Sequence, residues 1–200
     1  MSTISTLEPQ ILWKHFERLC EIPRPSKHEE EVISYIKSFA ESNGLSYFID
    51  RVGNLVIRKS ASKGRENSMP VVLQAHVDMV PQKNNDVVHD FTKDPIVPII
   101  DGEWVKAQGT TLGADNGIGV AAALSILESK DIVHGPLEVL FTVDEETGMT
   151  GAFNLSEGFI NGKVLLNLDS EEYGEIFIGC AGGINAIATF NYKKEIVDKG

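Results

Sequence analysis

His76 and Asp78 stand two residues apart, just beyond the apolar run Val71-Val72-Leu73-Gln74-Ala75. On an extended chain residues two apart share a face, so this imidazole and this carboxylate point the same way at the end of a buried strand. A metal-binding imidazole needs such a carboxylate to hold its ring and fix its tautomer. A core histidine with a satisfied hydrogen bond would have the same spacing. The run Phe141-Thr142-Val143 stops at three acids in a row, Asp144, Glu145 and Glu146. Glu145 and Glu146 are adjacent and need not share a direction, so one can bind a cation while the other faces a substrate. A solvated acidic turn is the plainer alternative. Asp115 lies between Gly113 and Gly117 directly before a helical pattern. A helix start steadies a carboxylate that must stay ionised, but Asp also caps helices for purely structural reasons. Asp169 leaves the apolar run Leu165-Leu166-Asn167-Leu168, where a turn former is equally ordinary.

Taken singly, each site has a structural explanation. Jointly, three apolar strand ends deliver His76, Glu146 and Asp169, and one helix start delivers Asp115. In α/β sheets the carboxyl edge of the strands is where ligands bind. Imidazole with carboxylates suits zinc, manganese or cobalt. One cation does not comfortably take all these acids. Two cations about 3.5–4 Å apart, bridged by one carboxylate, do, and aminopeptidases and phosphatases use that arrangement.

The elements that must position these groups follow from periodicity. Glu8 to Glu21 reads as an amphipathic helix with Ile11, Leu12, Phe16 and Leu19 on one face. Pro23-Arg24-Pro25 reads as a rigid connector, and Ser26 with Glu29 as a capping box for a second helix that stops at Gly44. Residues 45–49 and 54–58 predict a hairpin, and 71–75, 137–143 and 163–168 predict buried strands. Residues 76–111 read as a long irregular stretch with a weak strand at 104–107. The helix over 117–129 carries Gly119, Ala121, Ala122 and Ala123 for close packing on a sheet. A short helix is expected at 151–155, and strands at 176–178 and 184–192. The pattern is α/β: a mixed, mostly parallel sheet with helices on both faces.

Composition narrows the classes. The chain has 200 residues, 42% hydrophobic and 24% charged, with a formal net charge of −11. Such a balance argues against nucleic acid or an anionic membrane surface as partner. No apolar run approaches the ~20 residues of a membrane span, and no basic-then-apolar leader opens the sequence, so a cytoplasmic location is expected. Two cysteines, Cys20 and Cys180, build neither a disulfide framework nor a CxxC zinc pattern. Cys20 is expected to be buried and Cys180 to pack or turn within GCAGG. Trp13 and Trp104 are expected to pack, and Glu29, Glu30 and Glu31 to form a solvated helix start.

The segments HVDMV, GTTLGADNGIG, DEETGMTGA, NLDSEE and IGCAGG occur in that order, preceded by LWKHFERLCEIPRPSKHEEEV. Together they resemble the aminoacylase/carboxypeptidase-type zinc peptidases over essentially the whole chain, most strongly the members that split Xaa-His (carnosine-like) dipeptides. The resemblance implies a zinc-peptidase-like catalytic domain holding two divalent cations, zinc first, with cobalt or manganese as alternatives. It implies His76 and Asp169 as ligands of one metal, Asp115 as the bridging ligand and Glu146 as a ligand of the second metal. Asp78 would orient the ligand histidine, and Glu145 would be the general base. It further implies a cis peptide at Asp115–Asn116 and a distant histidine ligand whose motif does not include His15, His28, His89 or His134. Residues 1–182 would be the N-terminal part of the catalytic domain, and 183–200 the start of an inserted lid or dimerisation domain. The implied partners are a small peptide substrate and, through that lid, a second copy in a homodimer. An N-acyl amino-acid deacylase, a broader aminopeptidase, and a catalytically inactive fragment are the competing readings.

Overall fold

Short apolar runs form the inner strands of the central sheet. The computed structural model describes residues 3–180, 182–183 and 186–194. Its strands are β1 Ser46–Ile49, β2 Leu55–Lys59, β3 Val71–His76, β4 Pro98–Asp101, β5 Trp104–Ala107, β6 Leu137–Thr142 and β7 Val164–Asn167. Five of them form one sheet in the order β1-β2-β6-β3-β7, and β4 with β5 forms a separate ribbon. β3 pairs in parallel with both β6 and β7, while β2 pairs antiparallel with β1 and β6. Only β2 therefore runs against the rest. The register sets His76 opposite Thr142 and Gln74 opposite Asn167, so β3, β6 and β7 end level at one carboxyl edge.

The longer helices are α1 Gln10–Cys20, α2 Glu30–Ser42 and α3 Ala114–Glu128; α4 Glu145–Gly148 and α5 Thr150–Phe153 are single turns. One sheet face supplies Leu55, Ile57, Leu73, Ala75, Val139 and Phe141 to a core shared with Phe16, Leu19, Ile36 and Leu124 of the three long helices. Each fully buried side chain of this size contributes roughly 1.5–3 kcal/mol. The β6–β7 crossover, which carries α4 and α5, meets the other face. There a Cβ on Gly162 would lie 2.3 Å from Val72 Cγ2, so only glycine fits. The last carbonyls of α3 need partners. Lys59 Nζ supplies them, donating to Ile126 O at 3.0 Å and Ser129 O at 2.6 Å.

Residues Met1–Asp169 form one compact unit and Ser170–Gly200 a second. In the second unit the described residues form no helix or strand and are exposed, Cys180 included. The strand expected at 176–178 is therefore absent. That expected at 184–192 is absent among its described residues, and residues 184–185 lie outside them.

Several expectations change within the first unit. Residues 163–168 contain a strand, β7, that is not buried: Val164, Leu165 and Leu166 are 39%, 48% and 48% exposed, because among the described residues β7 is an edge with β3 as its one neighbour. The irregular stretch hides β4 as well as β5; neither buries a residue fully, β4 being exposed at Ile99, Ile100 and Asp101 and β5 at Trp104 and Lys106, so no buried apolar run marks them. Trp104 is 70% exposed on that ribbon rather than packed. The capping box does not form. Ser26 Oγ donates to Asp78 instead, and Glu29 is buried, accepting from Lys27 N and Asp144 N. Glu30 and Glu31 are solvated as expected, and Cys20 is buried, which pushes its thiol up to about 12.

Glu138 makes acid sensitivity predictable. Its side chain is 7% exposed and accepts from Arg58 Nε at 2.8 Å, Asn161 N at 2.6 Å, Gly162 N at 2.8 Å and Asn161 Nδ2 at 3.1 Å. Burial alone would raise this carboxyl; the bonds from Asn161, Arg58 and Gly162 outweigh it and lower it. A lowered carboxylate stabilises the fold fully above its unfolded value, and that stability is lost as pH falls through the folded value. Urea unfolding of Glu138→Gln should show about 1–3 kcal/mol less stability at pH 7 and a flatter decline from pH 5 to 3 than wild type. Identical slopes in both proteins would contradict this account.

Candidate metal centre

The parallel strands β3, β6 and β7 release His76, the Asp144-Glu145-Glu146 turn and Asp169 at the same sheet edge. Asp115 arrives from the start of α3, where Gly113 takes a left-handed φ of +70° and the Asp115–Asn116 peptide is cis. Asp144 is itself left-handed, φ 51° and ψ 50°. That conformation is sterically unfavourable for a non-glycine residue. It is held because the Asp144 carboxylate accepts from the hydroxyls of Thr147 and Thr150. Two further supports aim this turn. Asn54 Oδ1 accepts from Val143 N at 3.2 Å, and Asn54 Nδ2 donates to Gly151 O at 2.9 Å. A Cβ on Gly151 would lie 2.3 Å from Asn54 Oδ1, so this loop requires glycine there.

All six candidate residues come together. His76, Asp115 and Glu146 each offer a ligand atom, and these atoms lie within 4.8 Å of one another. His76 Nε2 is 2.9 Å from Asp115 Oδ1, 3.7 Å from Asp169 Oδ1 and 4.0 Å from Glu145 Oε2. His76 Nδ1 is 3.2 Å from Asp78 Oδ1, behind the ring. Exposure is graded: the side chains of His76 and Asp78 are 1% and 0% exposed, while those of Glu145 and Asp115 are 31% and 50% exposed. The imidazole and Asp78 are thus withdrawn from solvent while the other carboxylates reach it. Asn116 Nδ2 donates to Leu168 O at 3.1 Å and to Asp169 Oδ1, tying the helix start to the strand exit. Gly119 makes room for that carboxamide, since a Cβ there would sit 2.0 Å from Asn116 Oδ1.

The electrostatics match the layout. Burial alone would lower the His76 imidazole; Asp78, Asp169 and Asp115 outweigh it and raise it to about 9. Burial would raise Asp78; the bonds from His76, Glu145 N, Ser26 and Glu146 N bring it down to about 2. Glu145, Glu146 and Asp169 are all raised, by burial first and then by neighbouring carboxylates. Acids crowded in this way gain from a cation between them. A nitrogen donor with oxygen donors fits a divalent metal of the zinc type, so the residues present suit such an ion. A second buried cluster, Glu29, Asp78 and Asp144, is equally tight. Its oxygens are already engaged by backbone amides, Ser26, Thr147 and Thr150, which makes it a brace behind the site.

Periodicity and spacing did not disclose Arg24, Ser26, Glu29 or Asn54, all of which hold the ligand-bearing loops. The available signal was a charged residue between two prolines, and polar residues flanking apolar runs. Their partners are distant in the chain and leave no periodic trace.

Residues 72–189 match Peptidase family M20/M25/M40. The chain is 58% identical over 200 residues to the cytosol non-specific dipeptidase of Escherichia coli, covering 100% of this chain and 41% of that protein. It superposes on the crystal structure of aminoacylhistidine dipeptidase from Vibrio alginolyticus with a TM-score of 0.85 and 60% identity, over 86% of this chain and 35% of that one. It also superposes on aminopeptidase PepT from Bacillus cereus with a TM-score of 0.71 and 25% identity, over 83% of this chain and 44% of that one. The chain thus spans well under half the length of these relatives. The chain belongs to Peptidase family M20/M25/M40, and it shares the fold of the aminoacylhistidine dipeptidase structure over most of its length.

Proposed function

We propose that the protein carrying this chain hydrolyses dipeptides, Xaa-His (carnosine-like) substrates among them, with two divalent cations, zinc first. One observation carries the reading: His76, Asp115, Glu146 and Asp169 converge, with Asp78 behind the imidazole and Glu145 beside it. The two dipeptidase relatives support the substrate class. The name of the cytosol dipeptidase supports a cytoplasmic location, and no described helix is long and apolar enough to cross a membrane.

The roles divide by position. His76 and Asp169 would hold one cation, Asp115 would be shared by the two, and Glu146 would hold the second. When bound there, such cations polarise the peptide carbonyl and make water a better nucleophile at neutral pH. Asp78 keeps the His76 ring turned so that Nε2 faces the carboxylates. Glu145 and Glu146 are neighbours at the start of α4, and successive helical residues point about 100° apart. Glu146 can thus be a ligand while Glu145 stays free to move protons. Glu145 takes the proton of the attacking water and returns it to the departing amine. As part of the same proposal, residues 1–182 belong to the catalytic domain, 183–200 begin a lid or dimerisation domain, and a homodimer forms through that domain.

The direct test sets a panel of carnosine-like dipeptides against acetyl-amino acids in the full-length natural protein; preferential cleavage of the acetyl compounds would replace the dipeptidase reading with a deacylase one. Glu145→Ala should keep its metal content by elemental analysis while turnover falls roughly 10²–10⁴-fold. Metal lost in step with activity would mean that Glu145 and Glu146 have exchanged roles. Asp115→Ala should lose both cations in the same assay, and one cation retained at full occupancy would remove the bridging role.

A further inference from the structure

Arg24 heads the large side chains that are fully withdrawn from solvent. It lies between two prolines in the segment joining α1 to α2. Its Nη1 donates to Val77 O at 2.9 Å and Asp78 O at 3.2 Å, and its Nη2 donates to Gly113 O at 2.5 Å. Among the described residues it forms no ion pair with a carboxylate. The backbone reinforces the contact, since Met79 N donates to Arg24 O at 3.1 Å and Pro25 bridges to Met79.

Those carbonyls belong to two different loops. Val77 and Asp78 directly follow His76; Gly113 comes two residues before Asp115. One guanidinium therefore spans the strand-end loop and the helix-start loop that bring His76 Nε2 and Asp115 Oδ1 to 2.9 Å. The space around it is closed. A Cβ on Gly113 or on Gly117 would lie 2.6 Å from Arg24 Nη2, so both glycines exist where the fork needs room.

We propose that Arg24 is a positioning residue that sets the separation of these two loops, and with it the geometry at which His76 and Asp115 share a cation. This rests on the di-metal reading above. The chemistry selects arginine: a planar, permanently charged fork can donate to two loops at once, whereas an ammonium on a flexible stem acts as a point charge. By bonding backbone carbonyls, Arg24 leaves every carboxylate oxygen available.

The experiment loads the full-length natural protein with Co(II) alone and reads its visible absorption band, which reports coordination geometry. Arg24→Lys should fold, by circular dichroism, yet bind Co(II) roughly 10–100-fold more weakly, the scale typical of groups that orient ligands. Its band should shift, and kcat on a dipeptide should fall while KM changes little. Gly117→Ala keeps the charge but pushes the guanidinium off Gly113, and should shift the band in the same direction; it decides alone if Arg24→Lys does not fold. Ile36→Val, a core truncation in α2 away from the site, should lower Tm without moving the band. Wild-type affinity and band in both site variants would overturn the positioning role and leave the di-metal reading standing. So would a loss that Ile36→Val reproduces at equal Tm. A wild-type protein that binds no Co(II) would overturn both.

Discussion

A single buried carboxylate organises this site. Asp78 Oδ1 faces His76 Nδ1 at 3.2 Å and accepts from Glu145 N at 3.0 Å; Oδ2 accepts from Glu146 N at 3.2 Å and Ser26 Oγ at 2.8 Å. A carboxylate with no exposed surface must have its lone pairs satisfied, because an unpaired buried charge costs several kcal/mol. Here the donors come from three chain segments. The requirement to satisfy one charge therefore locks the end of β3, the turn after β6 and the segment before α2 into one arrangement.

That lock makes an otherwise unfavourable cluster of acids tolerable. Glu145, Glu146, Asp115 and Asp169 crowd the open side of a buried imidazole, and burial together with mutual repulsion raises Glu145, Glu146 and Asp169. The acids set farther back differ. Asp144 and Glu29 have their oxygens taken up by hydroxyls and amides, so they hold backbone and are not available as ligands. The division follows solvent access: the buried oxygens of Asp78, Glu29 and Asp144 are engaged by internal donors, while the candidate ligand carboxylates are partly exposed.

The sheet explains why the ligands meet at all. With β3, β6 and β7 parallel and in register, three strand exits fall on one edge. Asn116 and Gly119 then bring the start of α3 against the exit of β7. Small residues on α3 serve the site as well as the packing, since Gly119 leaves space for the Asn116 carboxamide.

Much of this was legible in the linear sequence. Apolar runs that end just before or near His76, Glu146 and Asp169, and a glycine-flanked Asp115, picked out the candidate ligands that the fold brings together, because burial and chemistry at those positions are local properties of the chain. The helices α1 and α2 and the strands β2, β3 and β6 were legible for the same reason: each helix writes its buried face as a periodic stripe, and each strand writes its burial as a short apolar run. Tertiary structure alone decided the roles of Arg24, Ser26 and Glu29. Their distant partners lie 52 to 115 residues away, and their local spacing suggested a connector and a capping box. It also decided that β7 is an exposed edge, which depends on its having β3 as its one strand neighbour among the described residues and not on its own apolar residues. Sequence determines which groups can bind or be buried; only the folded chain determines which donor each buried oxygen meets, because that pairing is a contact between segments that share no local pattern.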